Sequence, residues 1–105
     1  MSKERMGLYE GMYIFNAALS EDARKKSLEK LTSGIIEQGG EVRHVMDQGR
    51  RKLAYEIGKK REGYYYVLYF TAPTPAIKEL WKEYRLQEDL LRFLTMRIEE
   101  GEVPA

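Results

Sequence analysis

Apolar and polar positions change period several times along the chain, and each change marks an element. Residues 8–15 form an apolar and aromatic run without helical spacing, which predicts a first strand. Met12 and Ile14 compete with Tyr13 and Phe15 for its buried face. Ser20 precedes Glu21 and Asp22, so its hydroxyl can satisfy a free amide while the acids meet the positive end of a helix dipole. Leu28, Leu31 and Ile35 continue at i, i+3 and i+7, and Gly39-Gly40 supply a stop, which predicts a helix over residues 20–38. Residues 41–57 read as a long strand, bent at Gly49, in which Leu53, Tyr55 and Ile57 alternate. Residues 58–63 read as a charged turn and residues 64–71 as a strongly β run, so the two strands form a hairpin.

Side chains alternate along that second strand of the hairpin. Tyr64, Tyr66, Leu68 and Phe70 are assigned to the core beneath the helices, and Tyr65, Val67 and Tyr69 to the uncovered face. Thr74-Pro75 is expected to cap and open a second helix, with Ile77, Leu80, Trp81 and Tyr84 as its apolar stripe and Trp81 in the core. Residues 90–98 form the last strand, with Leu90, Leu94, Met96 and Ile98 in one alternating set, and residues 99–105 a short flexible acidic tail. The order β-α-β-β-α-β predicts an α+β fold: a four-stranded antiparallel sheet with two helices on one face. The other face is left without a helix, open to a partner, to RNA or to solvent.

Length and composition narrow the function classes. A chain of 105 residues makes one domain, 1–105, with its core at about residues 8–98. The absence of cysteine excludes disulfides, thiolate metal sites and a cysteine nucleophile. No apolar run approaches the roughly 20 residues of a membrane-spanning helix, and the first residues do not read as a signal peptide, so a cytoplasmic protein is expected. His44 is the single histidine, without a carboxylate or second imidazole at ligand spacing, and reads as structural. The glycines match neither a phosphate loop nor a dinucleotide fingerprint, and residues 16–19 lack the arginine a small phosphatase loop would need. Glu99, Glu100 and Glu102 read as an acidic terminus sooner than as a cation site. No enzyme activity, metal or cofactor is expected.

The net charge of +1 conceals an uneven distribution. Residues 1–49 sum to −1, residues 50–61 to +5 and residues 62–105 to −3. Such a local field attracts phosphate backbones, although edge protection of a strand is the blander explanation. Arg50, Arg51 and Lys52 lie on the long strand, and Lys59, Lys60 and Arg61 about seven residues on. Arginine offers a planar fork to phosphate and lysine a point charge. Tyr55 sits between the groups, where it could stack on a base or alternate into the core with Leu53 and Ile57.

The chain resembles the bacterial small-subunit ribosomal protein six family over about residues 8–98. The resemblance rests on Tyr9-Glu10, Gly39-Gly40, Gly49-Arg50-Arg51-Lys52-Leu53-Ala54-Tyr55 followed by Ile57 and Lys59, Gly63-Tyr64-Tyr65, and Leu91-Arg92. It implies a ferredoxin-like fold and a structural place in the small ribosomal subunit, binding the central domain of small-subunit (16S) ribosomal RNA together with ribosomal protein eighteen. On that resemblance Arg51, Lys52, Tyr55 and Lys59 become RNA-contact candidates, with Arg92 and Tyr9 behind them; Arg50, Lys60 and Arg61 join on charge alone. Glu56 departs from the family's usual proline, which brings an acid into the basic stretch. The alternative from another class is a small ligand-binding or regulatory domain that homo-oligomerises through the free face, with a pocket at Tyr65, Val67 and Tyr69. That alternative leaves the +5 segment unexplained.

Overall fold

The computed structural model describes residues 5–104. Over them the chain forms β1 (Met6–Asn16), α1 (Glu21–Glu37), β2 (Glu41–Ile57), β3 (Lys60–Pro73), α2 (Ala76–Leu86) and β4 (Leu90–Arg97). The strands make one antiparallel sheet in the order β2-β3-β1-β4. Leu31 and Ile35 of α1 and Ile77, Leu80 and Tyr84 of α2 pack on Tyr13, Phe15, Tyr66, Leu68 and Phe70 of the sheet. This is the split β-α-β fold read from the periodicities.

The local signals work as their chemistry requires. The Ser20 hydroxyl accepts the Ala23 N–H at 3.1 Å, which satisfies one of the free donors at the start of α1. At its other end Gly39 takes φ 90°, and the amides of Gly39 and Gly40 donate to the carbonyls of Ile36 and Ile35. A side chain at Gly40 would collide with the Thr71 carbonyl, so the helix can approach β3 only through glycine.

Packing decides the face of β1: Tyr13 and Phe15 are fully buried under the helices, and Met12 and Ile14 point the other way. The Tyr13 and Tyr84 hydroxyls share a 3.0 Å hydrogen bond, with the rings edge to face at 5.3 Å. Burial raises the ionisation of both phenols, Tyr84 to about 12 and Tyr13 well above the ordinary phenol value.

Several elements differ from the expectation. Thr74 does not cap α2: its N–H donates to the Arg5 carbonyl, extending the pairing beyond β3, and Pro75 precedes the helix with no side-chain cap. The hairpin turn shrinks to Gly58-Lys59, both at positive φ (54° and 67°), a mirror-image turn whose twist matches that of the strands. A bulge at Leu91 splits the presumed set in β4, since Arg92 lies opposite Ile14 but Leu90 opposite Phe15. Leu90 therefore enters the helix-side core, while Leu94 and Met96 stay exposed.

The face without helices is also partly closed. Val67 and Tyr69, expected to be uncovered, are 6% and 7% exposed beneath Ile98, Leu8, Met46 and Val103. The segment expected to be a loose tail makes a 3-10 turn at Glu100–Glu102.

Candidate nucleic-acid interface

β1 pairs with β3 only as far as Asn16 opposite Gly63. Past Gly63 the β2–β3 hairpin has no third strand and projects as an arm, and the molecule measures 48 × 29 × 24 Å. Within the arm Lys52 lies opposite Glu62, and pairing resumes only at Ile57 opposite Lys60. Residues 53–56 thus face the single residue Arg61, and the surplus forces the segment to bow out of the ladder. The clean alternation of Leu53, Tyr55 and Ile57 hides this, because periodicity reports faces and not register.

The bow leans over the open sheet face. Leu53 and Ile14 both crowd Gly63, where a side chain would collide with Ile14. Beyond Leu53 the Tyr55 ring lies 5.1 Å from the Arg92 guanidinium carbon, although β2 and β4 are opposite edges of the sheet. Tyr55 is 55% exposed, so it is a surface group and not a core residue. Two candidates distant in sequence are thereby brought together. Beside them Met12, Ile14, Phe93 and Leu94 line a mainly apolar hollow of about 350 Å³.

The six cations of the arm divide into two kinds. Arg50 donates to the Ala17 carbonyl at 2.9 Å and pairs with Glu62 at 3.5 Å, and Arg61 pairs with Glu56 at 3.2 Å. Among the described residues, Arg51, Lys52, Lys59 and Lys60 have no carboxylate partner. Arg51 sits opposite Gly63 on the open face, 5.8 Å from the Tyr65 ring, while Lys52 takes the other side of the arm and Lys59 its tip. Uncompensated positive charge therefore wraps the arm. Glu56, the one acid within residues 50–61, is absorbed by Arg61 and leaves the remaining cations untouched.

A clamp at the base of the arm was not legible in the sequence. The Arg24 guanidinium lies 3.7 Å from the centre of the Tyr64 ring and donates to the Tyr66 hydroxyl at 3.2 Å. Tyr64 in turn donates to Asp47 at 3.1 Å, which raises its ionisation above the ordinary phenol range. Residues of α1, β2 and β3 meet there, and no short-range spacing connects them. Tyr9 leaves the candidate set: it is 7% exposed, stacked on Phe70 at 5.6 Å, toward the far end of β1 from the arm. His44 lies 6.2 Å from the Tyr69 ring, and no cluster among the described residues could hold a metal ion.

Comparison with known proteins decides what this arm belongs to. Residues 8–97 match the family model for ribosomal protein S6. The chain belongs to the ribosomal protein S6 family. It is 56% identical over 100 residues to small ribosomal subunit protein bS6 of Protochlamydia amoebophila, covering 95% of this chain and 88% of that one. To bS6 of Chlamydia muridarum it is 61% identical over 97 residues, with 92% and 87% covered. The crystal structure of 30S ribosomal protein S6 from Thermotoga maritima superposes with a TM-score of 0.84 at 34% identity, covering 90% of this chain and 89% of that one. This S6 family member is a structural component of the small subunit of the cytoplasmic ribosome and not an enzyme. RNA binding is general in the family.

Proposed function

We propose that this S6 family member binds the central domain of small-subunit ribosomal RNA through the β2–β3 arm, paired with ribosomal protein eighteen. The observation that carries the reading is the set Arg51, Lys52, Lys59 and Lys60, cations without carboxylate partners among the described residues, on both sides and the tip of one projecting hairpin. Phosphate contact would release the counterions held along the RNA, which favours binding at low salt. Tyr55, exposed over Arg92, offers an aromatic plane beside the phosphate contacts, where an unpaired base can stack. Arg50 and Arg61 contribute to the field but are already engaged with carboxylates. The apolar hollow at Met12, Ile14 and Leu94 fits a protein partner better than a polyanion, which supports a paired unit in place of RNA binding alone.

The test is filter binding to a central-domain RNA fragment across a salt series, with and without recombinant ribosomal protein eighteen. Binding that tightens with the partner and weakens steeply with salt is the expected result. Absence of RNA binding under both conditions would overturn the reading.

A further inference from the structure

The β2–β3 arm leaves the body where the sheet no longer braces it. Past Gly63 it is a two-stranded ribbon, and such ribbons twist strongly and keep a fixed direction only where something packs against them. Its root also carries a bulge: the register with β3 slips by one residue between Asp47 and Gly49, and Gly49 takes φ 79°. Such a root bends unless side chains close it. On the helix side they do so in an unbroken path from the core to the bulge. Phe15 meets Tyr66 edge to face at 5.9 Å, the Tyr66 hydroxyl accepts from Arg24, and the Arg24 guanidinium covers Tyr64. Tyr64 donates to Asp47, whose other carboxylate oxygen accepts the Gly49 N–H at 2.9 Å.

We propose that Arg24 is a positioning residue for RNA binding: it locks the root of the arm to α1, so that the cations of the arm meet RNA in one orientation, and it does so without touching RNA itself. Its effect on RNA rests on the reading of the arm above, whereas the locking does not. The helix gives no reason for a cation here, since Arg24 is the fourth residue of α1, near the positive end of the helix dipole. Nor does it pair with a carboxylate among the described residues. Its contacts go instead to Tyr64 and Tyr66, which follow Gly63 directly on the body side of the arm. A guanidinium can lay its face on one ring while its edge donates to the next hydroxyl, two contacts in one fixed plane that an ammonium does not reproduce. An arm held ready in this way loses less conformational freedom when it binds.

Filter binding across a salt series separates positioning from contact. Arg24→Gln should weaken binding of the central-domain RNA fragment about fivefold at every salt concentration, with the slope of log affinity against log salt unchanged. Loss of a direct phosphate contact would instead lower the magnitude of that slope by about 0.9. Arg24→Lys keeps the charge but not the planar fork and should weaken binding as Arg24→Gln does. Tyr64→Phe, which removes only the bond to Asp47, should weaken it less and at the same slope. The position of the arm is read without RNA. The chain has no cysteine, so spin labels at Ala54→Cys on the arm and Lys30→Cys on α1, both exposed, report one distance by double electron-electron resonance. Its distribution should be narrow with Arg24 in place and broaden in Arg24→Gln and Arg24→Lys, with far-UV circular dichroism unchanged. A reduced slope in Arg24→Gln, binding restored by Arg24→Lys, or an unchanged distance distribution would overturn the proposal. Wild-type protein that binds no RNA, with or without ribosomal protein eighteen, would fault the RNA reading instead, and the locking of the arm would stand or fall on the distance.

Discussion

Replacing Lys52 and Arg50 separately by glutamine distinguishes an RNA-binding arm from a merely charged one. The two residues lie two apart on β2 and share a face, so a smeared basic field would treat them alike. The structure treats them differently: Lys52 has no carboxylate partner among the described residues, while Arg50 holds Glu62 and the Ala17 carbonyl. Of the six cations in residues 50–61, two pair with carboxylates among the described residues and four do not. With a slope of about 0.9 per phosphate on a duplex, the four give a log affinity against log salt slope of magnitude about 3.6. Lys52→Gln should reduce that slope by about 0.9, which near 0.1 M salt is about an eightfold loss of affinity. Arg50→Gln should reduce it by less than half as much, because its charge is partly compensated before RNA arrives. Its larger effect should be on the fold, about 1 kcal/mol for the lost bond to the β1–α1 connection. The assay is filter binding across salt with thermal unfolding of each variant alongside. A slope change for Arg50→Gln equal to or greater than that for Lys52→Gln would refute the division into engaged and unengaged cations.

Three further outcomes follow from the fold. Tyr13→Phe strands the buried Tyr84 hydroxyl and should cost about 1–3 kcal/mol by denaturant unfolding, whereas the double change Tyr13→Phe/Tyr84→Phe should restore most of it, since both partners are then apolar. Because burial raises the ionisation of both phenols in the folded state, their contribution is complete below the ordinary phenol value of about 10. It should be lost as pH rises from there through about 12, visible as unfolding concurrent with tyrosinate absorbance. Gly40→Ala, which drives a methyl group into the Thr71 carbonyl, should destabilise by more than about 1 kcal/mol in a melt while leaving the salt slope of RNA binding unchanged.

How far the sequence carried can be seen at particular residues. Ser20 and Gly39-Gly40 bound α1, and the stripe from Ile77 to Tyr84 places α2 on the sheet, because caps and apolar periodicity are local signals that burial of one face makes decisive. The +5 of residues 50–61 is legible from composition alone, and the family resemblance made Arg51, Lys52, Tyr55 and Lys59 candidates within it. Tyr9 shows the limit of a motif: a position can be shared across a family for packing, and this ring lies under the helices.

What the chain by itself determined is therefore what is set by spacing within an element: the strand and helix order, the face of β3, the cap and stop of α1, and the location of the charge. Only the tertiary structure decided what depends on register and on contacts between distant segments. The Leu91 bulge, the two-residue turn and the bow at residues 53–56 are differences of a residue or two between paired strands, which no single strand records. The meeting of Tyr55 with Arg92, the Arg24 clamp and the Arg43–Glu100 ion pair join residues 37, 40 or more and 57 positions apart. Their partners are chosen by the twist of a sheet that exists only once all four strands have paired.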